Sequence, residues 1–507
     1  MLTKEDLQEF VQEKLGEYLF VVVSNRQPYE HVYKKGKIEC QRPSGGVITA
    51  LDPVMQACHG LWIAASSGEA DHRVTDRFNK IEVPVNNPAY TLKRVWLTKL
   101  EEERYYYGYS NDALWPLCHT AFQRPIFKQE DWQHYVHVNQ KFAKAVMEEI
   151  GTAKAFVWIQ DYHFCLLPKL LKEMATPNQL IIAHFWHIPW PSYEIFRICP
   201  QKNEILEGML SNDMIGFHTH YHCNNFLEVV DRQLESKIDR ERFSVIRKEH
   251  ETLIRPYPIS VDFEDINQKA QTDDFEKIKS DLVQEFHLRD RQLLLGLDRI
   301  DYTKGIPERI YAIDRLFEKH PELIEKVLFL QVGTLSRIHL DKYKALNDEI
   351  NALVERVNWR HATDDWSPVI FIRGNMPAFK LRVLYRMAQV CIVSSLHDGM
   401  NLVAKEFVCA HGDEEGVLIL SQFAGSASEL TEAVLINPYD SEQFSDSIYQ
   451  ALSMPEEERR KRMAKMRGTV RENNIYHWAG KFLSGLLKIE FKENVPRLMS
   501  IANSGIQ

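Results

Sequence analysis

The sequence predicts an α/β protein built as two doubly wound domains, and three observations lead there. Short apolar runs of strand length recur along the chain with longer amphipathic stretches between them, the pattern of parallel sheets covered on both faces. The 507 residues exceed the size at which one hydrophobic core keeps growing. Near the middle, RPYPISVDF (255–263) carries two prolines and leads into a polar helical stretch, the composition of a crossing between domains. The expected division is 1–257, then 258–475, with a helix and tail over 476–507 packing back on the first domain.

Taken in order, MLTKEDLQEFVQEKLGEYL alternates charge with apolar residues at helical spacing. It lacks the unbroken apolar region and small-residue cleavage site of a secretory signal. The strands of the first half are LFVVVSN (19–25), FVWIQ (156–160), LIIAHFW (180–186) and DMIGFH (213–218). The second half is more regular: LLLGLD (293–298), VLFLQVG (327–333), VIFIRG (369–374), VCIVSS (390–395), VLILSQ (417–422) and AVLINP (433–438). After NPYD (437–440) the chain turns helical and ends in the polar run PRLMSIANSGIQ.

A net charge of −9, with 44% hydrophobic and 26% charged residues, fits a globular protein and argues against nucleic acid or an anionic membrane as partner. No apolar run approaches the length that spans a bilayer. The eight cysteines are scattered, without a CxxC, and several sit in apolar runs. They read as reduced, mostly buried thiols of a cytoplasmic protein.

In parallel α/β sheets ligands bind beyond the carboxyl ends of the strands, so the polar residues that follow the apolar runs are the candidates. In the second half these are Arg299 and Lys304 in LDRIDYTKG, Arg337 in GTLSR, Asp398 and Gly399 in SSLHDGMNLVAKEF, and Gly425 in SQFAGSASEL. Two cations at one strand end suit a diphosphate; the alternative is a solvated loop whose charges pair with Asp298 or Asp301. Around Asp398, backbone N–H groups at the start of an apolar helix favour an anion, while Asp398 and Glu406 suit sugar hydroxyls. The plainer reading makes Asp398 the cap of that helix.

The first half contributes Arg26, Gly45, Gly46, Asp161 in QDYH, His187 in WHIPWP, and Tyr106 and Trp115 in RYYYGYSNDALWP, an aromatic stretch suited to a sugar ring. Trp115 as core and His187 as a turn residue are the plainer alternatives. GFHTHYHC, with His218, His220, His222 and Cys223, looks like a metal cluster. No second cluster completes a tetrahedral set, so no metal site is expected there.

The ordered motifs SNR (24–26), SGG (44–46), YGYSNDALWP (107–116), QDYH (160–163), HIPWP (187–191), LDRIDYTKGIPER (297–309), HDGMNLVAKEF (397–407), SQFAGSASEL (421–430) and NPYD (437–440) resemble those of trehalose-6-phosphate synthases. The likeness runs from about residue 19 to 490. It implies two Rossmann-like domains in the GT-B glycosyltransferase arrangement, with the active site in the cleft between them. It also implies retaining transfer of glucose from a nucleotide sugar, UDP-glucose for choice, to glucose 6-phosphate, with no metal or other cofactor.

Carried over residue by residue, Arg299 and Lys304 would hold the diphosphate and stabilise the leaving nucleotide, with Gly45 and Gly46 close to it. Asp398 and His187 would contact the donor glucose. Gly399, Met400, Asn401, Leu402, Val403 and Glu406 would complete the donor site. Arg26, Tyr106, Trp115, Asp161 and Arg337 would bind the acceptor, Arg26 and Arg337 near its phosphate. The catalytic set is then Arg299, Lys304, Asp398 and His187, and a homo-oligomer, dimer or tetramer, is implied.

Departures from the family's pattern include His397 where arginine is common, a long segment between SNR and SGG, a helix before the first strand, and Trp186 and Trp190 flanking the HIP motif. A sister enzyme joining ADP-glucose to glycerol 3-phosphate, a pseudoglycosyltransferase, and a non-catalytic sugar-phosphate sensor share the framework. The joint presence of Arg26, Tyr106, Trp115, Asp161 and Arg337 favours a hexose phosphate, and retention of Arg299, Lys304 and Glu406 favours catalysis.

Overall fold

The protein is described by a computed structural model covering residues 2–43, 45–270, 274–337 and 339–490, the side chains of 488–490 excepted. The chain divides into two compact units, one holding the residues up to Ile259 together with those from Ile475, the other Ser260–Asn474.

The first unit opens with the helix Lys4–Leu15, started by a capping box in which Thr3 and Asp6 bond each other's backbone N–H. Its strands are β1 (Leu19–Arg26), β2 (Glu30–Lys34), β3 (Lys37–Gln41), β4 (Leu61–Ala65), β5 (Lys80–Val83), β6 (Tyr90–Val95), β7 (Ala155–Gln160), β8 (Leu180–Phe185), β9 (Met214–Phe217), β10 (Lys237–Asp239), β11 (Ser244–Arg247) and β12 (His250–Pro256). Ten of them form one sheet in the order β10-β11-β12-β9-β8-β7-β1-β4-β6-β5. Val21, Val22 and Val23 of β1 and Trp158 of β7 are fully buried, as expected for central strands covered on both faces.

The seven strands from β12 to β6 are parallel, but both edges turn antiparallel, at β10-β11-β12 and at β5. The wholly parallel reading of this half is corrected there. Edge strands need no crossover helix, and β5 and β10 are short and carry charge, which blunts an exposed edge. The long segment after Arg26 forms the separate β2-β3 hairpin, turned by Lys35 and Gly36 at φ 49° and 76°, a conformation suited to a two-residue hairpin loop.

The second unit is a six-stranded, wholly parallel sheet. Its strands are β13 (Gln292–Arg299), β14 (Val327–Thr334), β15 (Val369–Arg373), β16 (Val390–Val393), β17 (Val417–Ser421) and β18 (Val434–Ile436), in the order β15-β14-β13-β16-β17-β18. Beyond it, the helix Ile475–Glu490 belongs to the first unit. Trp478 and Phe482 stack on Trp158 at 5.1 and 4.5 Å, and Trp478 Nε1 donates to the Tyr257 carbonyl. The polar tail PRLMSIANSGIQ (496–507) lies outside the described residues, as does Ser44 of the SGG motif.

Candidate active site

In the second unit, β13 ends on Arg299 and a tight turn, Tyr302–Lys304, follows it. Asp301 shapes that turn by accepting from the Thr303 N–H and hydroxyl at 3.0 and 2.9 Å. Gly305 closes it at φ 61°, where a Cβ would lie 2.1 Å from the Ser394 carbonyl oxygen, so only glycine fits. Ser394 donates to the Gly305 carbonyl and Leu396 N–H to that of Thr303, which ties the turn to the end of β16.

The charges pair differently from the plain reading of the sequence. Asp298 takes the guanidinium of buried Arg309 at 2.8 Å, and burial raises its pKa against the pull of Arg309 and Lys304. Asp301 takes Arg337 at 3.1 Å. Lys304 pairs instead with Asp398, whose carboxylate also accepts from Ser395 Oγ at 3.1 Å and Asn401 Nδ2 at 3.3 Å. A cation and an acid 94 residues apart thus share one site, and Arg299 is half-buried at the same strand end.

The helix of the HDGMNLVAKEF motif is Leu402–Ala410, capped by Asn401, whose side chain accepts from the Ala404 N–H. Asp398 is therefore neither the cap nor inside the helix, and Gly399 and Met400 lie in the loop before it; the expectation of a helix opening on Asp398 and Gly399 is corrected. Gly425 and Ser426 donate their N–H groups to the carbonyls of Asp398 and Met400. A Cβ on Gly425 would sit 2.0 Å from the Gly399 carbonyl oxygen. Leu402 and Val403, in the first turn, are half-buried. Glu406 accepts a 2.9 Å bond from buried Tyr385, and burial raises its pKa although that bond opposes the shift.

In the first unit, Arg26 ends β1 and donates to the Tyr106 hydroxyl at 3.1 Å. Gly45 lies beside it, since a Cβ there would be 3.8 Å from Arg26 Nη1; Gly46 begins the next helix, Gly46–Cys58. Tyr106 belongs to a π-helix, Glu102–Leu114, a wide-turned form that concentrates at functional positions. Its ring stacks on His163 at 5.8 Å. Trp115 is 5% exposed and packs against His119 and Tyr162.

Asp161 follows β7 at φ 70°, a left-handed conformation uncommon for a residue with a side chain. Its Oδ1 accepts from the His187 N–H at 3.2 Å. His187 Nε2 meets Gln160 Oε1 at 2.8 Å. Burial, then the neighbouring His218, His184 and His163, holds the His187 pKa well below its ordinary value, so the ring is neutral at pH 7. Arg337 is the acceptor candidate that belongs to the second unit. It stands at φ 51°, bonded to Asp301 and, at 2.6 Å, to the Tyr343 hydroxyl.

The histidines of GFHTHYHC diverge once the helix His220–Gln233 begins: His218 reaches the His187 carbonyl and His222 the backbone of Trp190. A groove of about 680 Å³, lined by His59, Asp76, Lys80 and Glu149 among others, includes none of the candidate residues. Residues the sequence left unremarked include Gln160, Arg309, Tyr343 and Tyr385. Asn401, named above for the donor site only, also caps a helix, and that role had a legible signal as a favoured capping residue immediately before a helical stretch.

The description of glycosyltransferase family 20 matches residues 18–488. The chain belongs to glycosyltransferase family 20. Among family 20 relatives, the trehalose-6-phosphate synthase of Mycolicibacterium vanbaalenii is 36% identical over 93% of this chain and 96% of that protein. The α,α-trehalose-phosphate synthase (UDP-forming) of Pichia angusta is 33% identical over 92% and 99%. An E. coli structure described as bound with UDP-2-fluoro glucose superposes with TM-score 0.81 at 29% identity, over 94% of this chain and 100% of that one. The Burkholderia xenovorans enzyme, a UDP-forming α,α-trehalose-phosphate synthase in complex with glucose-6-phosphate, gives 0.82 at 29% identity over 92% and 99%. Among the described residues no helix is long and apolar enough to cross a membrane.

Proposed function

We propose that this family 20 chain transfers glucose from UDP-glucose to the anomeric hydroxyl of glucose 6-phosphate with retention, forming α,α-trehalose 6-phosphate and UDP. The observation that carries the proposal is the match, over nearly the whole chain, to solved relatives described with a UDP-glucose analogue and with glucose 6-phosphate.

The proposed chemistry is front-face attack. The bond from the sugar's anomeric carbon to the phosphate oxygen breaks, the bond to the acceptor oxygen forms on the same face, and the acceptor's proton passes to the leaving phosphate. Arg299 and Lys304 stabilise the charge that develops on that phosphate. Gly45, Gly46 and the loop from Gly399 to Val403 line the donor, Asp398 and His187 contact its glucose, and Glu406 holds the ribose. Arg26, Tyr106, Trp115, Asp161 and Arg337 serve the acceptor. The Arg26–Tyr106 contact supports the acceptor grouping, and the bond between Asp161 and His187 supports placing the acceptor beside the donor glucose.

Because these cations occupy the role of a metal, activity should persist in a chelator. Family likeness supports a dimer or tetramer, which light scattering checks, and the unpaired cysteines support a cytoplasmic location. The test is to supply purified protein with UDP-, ADP- or GDP-glucose and either glucose 6-phosphate or glycerol 3-phosphate. Trehalose 6-phosphate from UDP-glucose is expected; no disaccharide phosphate from any donor would sink the proposal.

A further inference from the structure

Two buried polar atoms beside Asp161 have no hydrogen-bond partner among the described residues: Nδ1 of His187 and Nε2 of Gln160. Both residues stand at the carboxyl ends of adjacent strands, Gln160 as the last residue of β7 and His187 just past β8. They are 1% and 7% exposed. The contact between them, His187 Nε2 to Gln160 Oε1 at 2.8 Å, fixes the chemistry of the bare ring nitrogen. An amide oxygen only accepts, so Nε2 carries the hydrogen and Nδ1 of a neutral ring is left as a lone pair. The backbone cannot rotate away, because the His187 N–H is held by Asp161 and its carbonyl by His218.

His184 has a bare Nδ1 as well, but it lies inside β8 at 0% exposure, with its Nε2 on the Asp161 carbonyl. His187 differs in standing beyond the strand end, where ligands of parallel sheets bind. An unsatisfied buried acceptor and an unsatisfied amide donor, separated by no more than one amide, one hydrogen bond and one imidazole, match a neutral polyol. They match neither an anion nor a cation, each of which would meet one group of the wrong polarity.

We propose that Gln160 is a positioning residue that locks His187 as the Nε2–H tautomer, so that Nδ1 accepts a hydrogen bond from a hydroxyl of the donor's glucose. The inference rests on the reading above that His187 touches the donor sugar; what it adds is the direction of the hydrogen bond and the residue that sets it. The titratable groups facing His187 are Asp161, His163, His184 and His218. Burial keeps His184 near 4 and His187 well below its ordinary value, so neither gains charge between pH 6 and 8.5.

The test compares the Kd of UDP with that of UDP-glucose on the full chain by calorimetry, because the ratio isolates the glucosyl moiety. In the wild type the ratio should stay constant from pH 6 to 8.5. Gln160→Glu places a carboxylate on Nε2–H and raises the His187 pKa; protonation then turns Nδ1 from acceptor into donor. Its ratio should match wild type at pH 8.5 and fall about tenfold by pH 6, because the hydroxyl must then accept from Nδ1 and its own buried hydrogen is left without an acceptor, the value of one hydrogen bond. Gln160→Met, which frees the tautomer without adding charge, should lower the ratio a few-fold at every pH.

A flat profile in Gln160→Glu, or an unchanged ratio in Gln160→Met, overturns the tautomer assignment. His187→Leu separates the two readings. If it leaves the ratio unchanged, His187 does not touch the glucose and the parent reading fails; if it lowers the ratio while the Gln160 variants do not, only the role of Gln160 fails. A residue that merely supports the fold would shift melting temperature without bending the pH profile.

Discussion

Removing the Lys304 side chain should separate catalysis from stability. Its turn is held by the Ser394 hydroxyl and the Leu396 N–H, both donating to its backbone carbonyls, and by Gly305, none of which needs the ammonium. What Lys304→Ala removes is one partner of the ion pair with Asp398, whose two side chains are 12% and 13% exposed. Breaking a fully buried pair costs roughly 3–5 kcal/mol. Asp398 keeps Ser395 and Asn401 as donors and some solvent, so about 1–2 kcal/mol is expected here. In a unit of this size that lowers Tm by only about 2–8 °C.

The catalytic loss is larger. A fixed cation facing the charge of a leaving phosphate is comparable to an oxyanion-hole donor, worth about 10²–10³ in kcat. Measured by UDP release at 25 °C, where both proteins remain folded, Lys304→Ala should fall by that factor, and Lys304→Arg should recover part of it. A fall of less than about tenfold, or one that tracks the unfolded fraction measured in parallel, would demote Lys304 to a structural residue.

Tyr385→Phe frees one oxygen of buried Glu406 and should weaken UDP binding several-fold, with the loss vanishing for the 2′,3′-dideoxy analogue; equal losses for both would remove Glu406 from the ribose site. Gly425→Ala drives a Cβ onto the Gly399 carbonyl oxygen and should raise the KM for UDP-glucose at least tenfold with little change in the KM for glucose 6-phosphate. Asp71 is fully buried; burial opposes its ionisation, but bonds from His31 and Gln27 and the Arg94 charge hold its pKa well below the usual carboxylate range. The unfolded chain binds the proton first, so this stabilisation is present above about pH 4 and is lost as pH falls below it; Asp71→Asn should flatten the urea midpoint between pH 4 and 3. Thiol titration should find one fast cysteine, Cys40, and seven that react only on unfolding.

The central strands were legible because burial on both faces demands unbroken apolar runs: all ten runs read from the sequence contain strands. β4, LWIAA, satisfies the same rule but was passed over between two turn-rich stretches. β5 and the antiparallel β10-β11-β12 margin were missed because strands at a sheet's margin tolerate charge and lose the apolar signature; β6, paired on both sides, was hidden by Lys93 and Arg94 within its run. At the site, Arg299, Lys304 and Asp398 were visible as polar residues at strand ends. Their partners were not: pairing Lys304 with Asp398 depends on β13 lying beside β16 and not only β14, and pairing Asp298 with Arg309 depends on how the helix after β13 folds back over that strand. The π-helix around Tyr106 was hidden for another reason: Gly108, Ser110, Asn111 and Asp112 disfavour a regular helix and make the segment read as a loop.

The chain enters the second unit after Ile259 and returns to the first at Ile475, so one unit is an insertion in the other. During synthesis the first sheet emerges early, yet the face of β7 around Trp158 waits for Trp478 and Phe482, more than 300 residues later. The inserted unit has a core of its own and can fold while the host is still incomplete. The host's final stability then rests on a helix translated after the whole inserted unit, so a ribosome stalled anywhere in that unit leaves the apolar face around Trp158 open to chaperones and proteases. That order makes the closing helix a quality-control checkpoint: no first unit is finished before the second has been translated.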